Sequence, residues 1–153
     1  MMRIVFWEPE IPPNTGNAIR LAACVPAELH LIEPLGFDLS DKQLRRAGLD
    51  YHDLAVVAVH PDLETALASF GDCRVFAFTR KATTLFTDIS YGPGDVLLFG
   101  RESVGLSDEV LARPDITDRL RIPMLPARRS LNVANAASIA AYEVWRQFGF
   151  AGS

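Results

Sequence analysis

Short apolar runs alternate with segments of helical periodicity along this chain. The apolar runs, which predict β-strands, lie at 3–7, 28–32, 54–59, 74–79, 96–99 and 119–122. Several are apolar at nearly every position, which is typical of strands covered on both faces. The intervening patterns predict helices at 17–24, 41–47, 63–70, 108–112 and 133–148. Strands that alternate with helices predict an α/β fold with a mostly parallel sheet flanked by helices.

Capping residues stand at several predicted helix ends. Ser40 and Ser107 occupy expected N-cap positions, and Gly48 and Gly71 stand where helices are expected to stop. In the last predicted helix, apolar residues recur at helical spacing, and Asn132 can cap its start. This helix is rich in alanine and serine, which allow another backbone to approach closely. The partner is either the helix's own sheet or a second subunit, and the spacing favours the sheet.

The chain's length and composition are those of an ordinary globular protein. A length of 153 residues suits one domain, which we assign to residues 1–153. No apolar run reaches the roughly 18 residues of a membrane span, and we expect no secretion signal and no membrane partner. Cys24 and Cys73 fit no zinc spacing and are expected to be reduced and buried, which favours a cytoplasmic location. The net charge of −4 disfavours nucleic-acid binding through bulk charge but leaves room for local basic clusters.

The loop after the first strand carries candidate functional residues, because parallel α/β sheets bind ligands at the carboxyl ends of their strands. Prolines fix the shape of this loop, and Asn14 or Asn17 is expected to cap the following helix. Arg20 is then expected near the first turn of that helix. The alternative is a stiff loop with an asparagine cap and a surface arginine.

Two later loops carry further candidates. After the fifth predicted strand, Glu102 lies between Gly100 and Gly105, a pattern that lets a flat ligand approach the backbone while Glu102 pairs with an arginine from another loop. After the sixth, Ser130 and Asn132 stand at a helix start, where free backbone N–H groups favour carboxylate or phosphate groups. An ordinary strand-to-helix turn and a simple helix cap are the alternatives at these two loops.

Several function classes lack their sequence motifs here. The chain has no glycine-rich dinucleotide fingerprint, no Gly-x-x-x-x-Gly-Lys-Ser/Thr loop and no nucleophile elbow. Its three histidines, at 30, 52 and 60, are scattered along the chain. The sequence therefore predicts no metal site.

The three loops together resemble the motifs of the SPOUT methyltransferases, the trefoil-knotted family. The matching motifs are Asn14-x-Gly16-Asn17-x-x-Arg20, then Phe99-Gly100-x-Glu102-x-x-Gly105-Leu106, then Ile122-Pro123-Met124 with Ser130-Leu131-Asn132-x-Ala134-Asn135-Ala136. Their order and spacing agree along essentially the whole chain. Segments 8–17, 44–52 and 142–147 further resemble the minimal tRNA (cytidine/uridine-34-2′-O)-methyltransferases, which consist of the catalytic domain alone.

The resemblance implies methyl transfer from S-adenosylmethionine to the ribose 2′-hydroxyl of the wobble nucleotide of tRNA, without a metal. It also implies a deep C-terminal trefoil knot and a homodimer whose sites lie near the subunit interface. The residues that it assigns to catalysis are Arg20, Glu102, Ser130 and Asn132. Those that it assigns to the cofactor are Phe78, Thr79, Gly100, Ile122, Met124, Ser130 and Leu131. The RNA-binding candidates, chosen by charge or motif position, are Arg45, Arg46, Arg128, Arg129 and Tyr142.

Arg20 has two possible roles in such an enzyme. It either accepts the proton of the ribose hydroxyl or, because a guanidinium normally stays protonated, stabilises the developing alkoxide. The resemblance implies that Glu102 helps to position Arg20 or the cofactor end of the site. Three alternative functions stay open: the same reaction on another tRNA position or on ribosomal RNA, a non-catalytic knotted RNA-binding dimer, and an α/β protein that binds another nucleotide such as a nicotinamide cofactor.

Overall fold

The computed structural model describes residues 1–40 and 57–153. Its strands are β1 Met2–Trp7, β2 Ala27–Ile32, β3 Val57–His60, β4 Val75–Phe78, β5 Thr84–Leu85, β6 Val96–Phe99 and β7 Asp118–Arg121. Its helices are α1 Pro12–Cys24, α2 Leu63–Phe70, α3 Asp108–Leu111 and α4 Val133–Gln147, with a 3₁₀ turn at Phe86–Asp88.

The described strands form one parallel sheet in the order β3-β2-β1-β6-β4-β7-β5. After β3 the chain crosses to the other side of β1, where β6, β4, β7 and β5 complete the sheet. Phe6 of β1 pairs with Phe99 of β6, and Ala77 of β4 pairs with Leu98 of β6, so these strands end at the same edge. A crossing of this kind in an α/β sheet is a usual ligand-binding place, because loops diverge there.

Each face of the sheet packs on its own set of helices. Alternation along β1 sends Ile4 and Phe6 to the face covered by α1 and α4, and Val5 to the face covered by α2 and α3. The central strands β4 and β6 are buried at every position, as expected for strands covered on both faces. The layers are therefore helices, sheet and helices, and the predicted α/β fold with a mostly parallel sheet is confirmed.

Most predicted elements are confirmed within the described residues. Strand ends differ by one residue at most, and the predicted helix at 63–70 coincides with α2. The predicted caps Ser107, Gly71 and Asn132 all occupy cap positions. The prediction missed β5, because a two-residue strand has no readable alternation. The predicted helix at 41–47, its stop at Gly48 and residues 54–56 lie outside the described residues.

The expected start of the first helix is wrong. Helix α1 begins at Pro12 with Ile11 as its N-cap, so Asn14 and Asn17 lie inside the helix. Pro12 and Pro13 have no N–H group, and this removes two of the orphan donors that a side-chain cap would satisfy. The fixed φ of proline also suits the first turn, so the helix starts at Pro12, five residues before the predicted start at residue 17.

The small residues of α4 are buried as predicted, whereas the two cysteines are not both buried. Ala134, Ala137 and Ala140 are buried, and α4 contacts α1, β1 and β6, which confirms that the small face packs within the fold. Both thiols are free. The expectation that both are buried is wrong for Cys24, which is exposed at the end of α1, while Cys73 is half-buried.

Candidate active site

A cavity of about 450 Å³ lies where the carboxyl ends of β4, β6 and β7 open into loops. Its lining includes every residue that the sequence assigned to the cofactor, which are Phe78, Thr79, Gly100, Ile122, Met124, Ser130 and Leu131. The volume is in the range of small-molecule sites. The lining mixes apolar side chains with loop backbone, which suits a ligand that has a flat ring and polar ends.

The loop after β6 folds into a tight hairpin against this cavity. The Arg101 N–H donates to the Gly105 carbonyl at 3.2 Å, and the Gly105 N–H donates to the Arg101 carbonyl at 2.7 Å. A Cβ atom built on Gly100 would lie 2.1 Å from the Gly105 carbonyl carbon and 2.2 Å from the Leu106 nitrogen. Gly105 has a φ of +71°. The two glycines that frame Glu102 are therefore needed for the hairpin itself, because one permits the close approach and the other the left-handed turn.

Glu102 reaches from this hairpin to the start of α1. Its carboxylate accepts hydrogen bonds from the Glu10 N–H at 3.0 Å, the Ile11 N–H at 2.6 Å and Asn14 Nδ2 at 3.3 Å. A carboxylate is favourable at a helix N-terminus because of the free N–H groups and the helix dipole. Glu102 is thus the acceptor, from a distant loop, for the backbone N–H groups of Glu10 and Ile11 just before α1.

Glu10 makes the reciprocal connection. Its carboxylate accepts from Ser103 Oγ at 2.6 Å and the Ser103 N–H at 3.1 Å, and Arg101 Nη2 lies 3.4 Å from its other oxygen. The Ser103 hydroxyl and backbone N–H, together with the Arg101 guanidinium, hold the pKa of the Glu10 carboxyl below its ordinary value. The sequence reasoning did not single out Glu10. Its position four residues before Asn14 carries no local signal for this contact.

Asn132 joins the third loop to the first. Its Oδ1 accepts from the Ala134 and Asn135 N–H groups and caps α4, while its Nδ2 donates to Asn14 Oδ1 at 2.8 Å. Asn14 therefore bridges Glu102 and Asn132. The three loops that the sequence selected meet at one place, and the starts of α1 and α4 are tied together there.

The predicted catalytic residues do not all border the cavity. Glu102, Ser130 and Asn132 line it, whereas Arg20 is not among its lining residues. Arg20 lies on the exposed side of α1. It is six residues beyond Asn14, which corresponds to roughly 9 Å along the helix axis. The described hydrogen bonds of Glu102 run to Glu10, Ile11 and Asn14 at the start of the same helix.

The predicted RNA contacts that the structure describes occupy two places. Arg128 and Arg129 are exposed in the loop before α4, next to the cavity residue Ser130. Tyr142 is 45% exposed on α4 and meets the Trp145 ring edge-on at 5.7 Å between ring centroids. The remaining two candidates, Arg45 and Arg46, lie outside the described residues.

Basic residues that the sequence reasoning missed also line the cavity. Arg80 and Lys81 follow β4, and Lys81 Nζ pairs with Asp108 Oδ1 at 2.8 Å on the surface. Their position directly after a buried strand was a usable signal, because the other cavity loops were chosen on that ground. Arg101 also lines the cavity, and its buried Nε has no hydrogen-bond partner among the described residues.

Residues 1–40 and 57–153 contain neither a metal-binding group of side chains nor a helix suited to span a membrane. In these ranges no group of at least three His, Cys, Asp or Glu side chains is arranged to hold a metal ion. Over the same ranges, no helix has both the length and the apolar character needed to cross a membrane.

Comparison with known proteins identifies the family of this chain. The profile of the SpoU rRNA Methylase family matches residues 1–142. The chain belongs to this family. The match spans β1 to most of α4 and contains every loop that borders the cavity.

Full-length relatives narrow the similarity to one group within the SpoU family. The chain is 52% identical to a tRNA (cytidine(34)-2′-O)-methyltransferase from Aeromonas hydrophila subsp. hydrophila, over 100% of this chain and 98% of that protein. A structure solved in work on the 2-OH methylation of C/U34 on tRNA is 44% identical, with a TM-score of 0.90 over 98% of this chain and 97% of that one.

A more distant SpoU structure contains the cofactor. The SpoU methyltransferase AviRb from Streptomyces viridochromogenes, in complex with AdoMet, is 25% identical, with a TM-score of 0.79. The superposition covers 99% of this chain and 58% of that chain. The shared part is therefore the whole of the present chain, and AviRb has additional sequence beyond it.

Proposed function

We propose that this protein is a tRNA (cytidine(34)-2′-O)-methyltransferase that methylates the wobble ribose with S-adenosylmethionine. The observation that carries the proposal is 52% identity over the whole chain to a protein of that name. The cavity supports it, because the motif loops converge there. The chain spans nearly all of that relative, so no domain of the relative is missing from the comparison.

The cavity residues fit S-adenosylmethionine. Phe78, Ile122 and Met124 offer an apolar surface to the adenine ring. The buried Arg101 Nε–H lacks an acceptor among the described residues, and the cofactor's carboxylate is a group that can supply one. When bound, S-adenosylmethionine supplies an electrophilic methyl group. The residues Thr79, Gly100, Ser130 and Leu131 would enclose the rest of the molecule.

Glu102 and Asn132 act in this proposal by holding the site together. Glu102 fixes the start of α1 through two backbone N–H groups and Asn14. Asn132 caps α4 and holds Asn14 from the other side. Ser130 lines the cavity at the entry to α4 and would orient the reacting groups. Correct geometry matters because a misplacement of about 1 Å can cost roughly a hundredfold in rate.

Arg20 is proposed as the charged group near the reacting ribose oxygen. A guanidinium stays protonated under ordinary conditions, so stabilisation of negative charge on the 2′-oxygen, with another acceptor taking the hydroxyl proton, is the more favourable of its two possible roles. Arg20 does not line the cavity of its own subunit. It therefore needs the RNA, or a second subunit, to bring the ribose between it and the methyl donor.

RNA binding is proposed along the basic edge of the cavity. Arg80, Arg128 and Arg129 are exposed there, although the chain as a whole carries a net charge of −4. Such a local cluster suits phosphate groups. Tyr142 offers an exposed aromatic face on α4, and Arg45 and Arg46 stay candidates by charge.

A homodimer is the proposed assembly. The family that the chain resembles supports this assembly, and Ile139, an apolar side chain that is 41% exposed on α4, is the candidate for the subunit contact. Tyr142, one turn further along α4, stays a candidate for RNA. Sedimentation of the wild type should give a dimer, and Ile139→Asp should shift it toward the monomer. A wild type that sediments as a monomer at assay concentration would contradict this assembly.

We also propose that the C-terminal part is threaded as a trefoil knot, as in the family that the chain resembles. The strand order supports this, because β6 inserts between β1 and β4 while β7 lies beyond β4. Mechanical unfolding from the two ends should leave the chain shorter than its full extension of roughly 3.3–3.6 Å per residue, since a knot tightens and cannot be pulled out. A cytoplasmic location and catalysis without a metal are part of the same proposal.

Methyl transfer tests the function directly. The protein is incubated with labelled S-adenosylmethionine and tRNA from a strain that lacks wobble ribose methylation, and the product is mapped by mass. A 2′-O-methyl group at position 34 is expected. Methylation at another tRNA position, or of ribosomal RNA only, would change the proposed substrate but keep the reaction. The lack of both methyl transfer and S-adenosylhomocysteine binding would overturn the proposal.

Variants of Arg20 separate catalysis from binding. Arg20→Ala should lower transfer by at least ~100-fold, in line with the loss of one charge-stabilising donor, and leave S-adenosylhomocysteine affinity unchanged. Arg113→Ala is the matched control, because Arg113 pairs with Asp115 at the far side of α3. Full residual activity in Arg20→Ala would remove Arg20 from catalysis.

A further inference from the structure

Two carboxylates connect the loop before α1 and the hairpin after β6, one in each direction. Glu102 leaves the hairpin and binds the backbone N–H groups of Glu10 and Ile11. Glu10 leaves the loop and binds the N–H and hydroxyl of Ser103 at the hairpin tip. We call Glu10, Glu102 and Ser103 the carboxylate clasp. Each loop thus supplies the acceptor for the other's free donors.

The hairpin tip has little else to hold it. Ser103 is exposed and Val104 is 71% exposed, so neither packs into the two hydrophobic cores. The bonds within the hairpin join Arg101 to Gly105 below the tip. Within the described residues, the side-chain contacts that connect the tip to the rest of the protein are those of Glu10. The position of the tip therefore depends on Glu10 at the tip itself and on the bonds of the neighbouring Glu102 to the start of α1.

The same hairpin forms a wall of the candidate cofactor cavity. Arg101, Glu102 and Gly105 line the cavity together with the tip residues Ser103 and Val104. When a loop must be in place before it can contact a ligand, the apparent Kd rises in inverse proportion to the fraction of time that the loop is in place. Because Glu10 holds the tip in place in the free protein, this loss of affinity is avoided.

The bonds made by Glu10 are of the stronger kind. Hydrogen bonds to an ionised carboxylate are shorter and stronger than bonds between neutral groups. The 2.6 Å contact from Ser103 Oγ fits this description, and the Ser103 hydrogen bonds lower the pKa of Glu10, as bonds to the ionised form do. Arg101 adds a cation 3.4 Å from its second oxygen.

We infer that Glu10 is a positioning residue for cofactor binding, which holds hairpin residues 101–105 in the cavity wall through Ser103. The inference rests on the proposed function for the identity of the ligand. Glu10 contacts neither the cavity nor the reacting atoms, since the lining includes its partners Arg101 and Ser103 but not Glu10 itself.

The test measures the Kd for S-adenosylhomocysteine by calorimetry in Glu10→Ala, Glu10→Gln, Ser103→Ala and the double variant Glu10→Ala/Ser103→Ala. Glu10→Ala should weaken binding about tenfold, because both bonds to the tip are lost. Glu10→Gln keeps an oxygen acceptor for Ser103 and should stay within about threefold of the wild type. Ser103→Ala should weaken binding in the wild-type background but add nothing to Glu10→Ala, as expected for two residues that act through one contact.

Two controls separate this role from a loss of folding. Glu64→Ala removes an exposed carboxylate from α2, away from the cavity, and should leave the Kd unchanged. The Kd for tRNA without cofactor should stay within about twofold of the wild type in every variant, since phosphate contacts dominate RNA affinity. If Glu10→Ala does not melt cooperatively, Glu10→Gln and Ser103→Ala carry the test.

Several outcomes would overturn the inference. They are a wild-type Kd in Glu10→Ala or in Ser103→Ala, a Glu10→Gln variant as weak as Glu10→Ala, and a full additional effect of Ser103→Ala in the Glu10→Ala background. If the wild type binds S-adenosylhomocysteine and the variants match it, the positioning role falls while the proposed function stands. If the wild type itself does not bind this ligand, the proposed function falls together with the inference.

Discussion

Gly100→Ala is expected to damage the site more than its size suggests. The added Cβ would lie 2.1 Å from the Gly105 carbonyl carbon, 2.2 Å from the Leu106 nitrogen and 2.7 Å from the Gly105 Cα. These are backbone atoms, so no side chain can rotate away. Carbon atoms in contact normally lie about 3.5–4.0 Å apart. The hairpin must therefore open by more than about 1 Å at the point where it closes against β6.

The expected losses of stability and of methyl transfer follow from this displacement. Overpacking of this kind costs roughly 1–3 kcal/mol, and at about 2–4 °C per kcal/mol for a protein of this size the melting temperature should fall by about 2–12 °C. The hairpin carries Glu102 and Ser103, so both directions of the carboxylate clasp would be disturbed. A shift of about 1 Å in a catalytic site can reduce turnover roughly a hundredfold, and we expect a loss of that order in methyl transfer.

The assay compares Gly100→Ala with Gly92→Ala. A Cβ on Gly92 would meet Arg74 Nη2 at 3.5 Å and Asp95 Oδ2 at 3.9 Å, which are ordinary contacts, and Gly92 precedes β6 at the end away from the cavity. Methyl transfer, S-adenosylhomocysteine affinity and thermal melting are measured on both variants. Normal turnover and melting in Gly100→Ala, or equal losses in Gly92→Ala, would refute the steric reasoning.

Three further predictions concern the cap of α4, the RNA contacts and the pair His30 and His60, whose Nδ1 and Nε2 atoms lie 3.0 Å apart. Asn132→Ala should lower the free energy of unfolding by about 1 kcal/mol, as the loss of a helix cap does, and should also lower methyl transfer because Asn14 loses its partner. Asp62→Ala, which removes the cap of α2, should lower the melting temperature alone. Equal methyl-transfer activity in the two variants would contradict this prediction. Arg128→Ala and Arg129→Ala should each reduce the salt slope of tRNA binding by about 1, and an unchanged slope would exclude phosphate contacts. Burial lowers the pKa values of His30 and His60 from the ordinary 6.5, so the unfolded chain binds more protons below that pH and the free energy of unfolding should fall as the pH drops from about 7 to about 5. His30→Gln should flatten this dependence in urea unfolding, and an equal slope in both proteins would contradict the assignment.

Much of the site was predictable from the sequence because its signals are local. Asn132 caps the helix that follows it, and the glycines at 100 and 105 mark a tight loop after a buried strand. The seven cofactor residues were assigned by the family resemblance, and their loops are expected to meet because parallel strands bring their carboxyl ends to one edge of the sheet. The observed lining of the cavity by all of them agrees with that rule.

Other features were not readable because their causes are distant in the chain. The start of α1 at Pro12 follows from its two prolines, but the acceptor for the Ile11 N–H before it is Glu102, 91 residues away. An asparagine near a predicted helix start looks like a cap whether or not another loop supplies the acceptor. The role of Glu10 was missed for the same reason, since Ser103 is 93 residues away.

By itself, the sequence determined the kinds of elements, most of their ends and the identity of the motif loops, because apolar periodicity and capping act over a few residues. The tertiary structure decided which loops meet, since the strand order β3-β2-β1-β6-β4-β7-β5 depends on pairing between segments far apart in the chain. That order sets β6 beside β1 and so brings Glu102 to the start of α1. Local patterns carry no information on such a neighbour, because many strand orders bury the same apolar residues equally well.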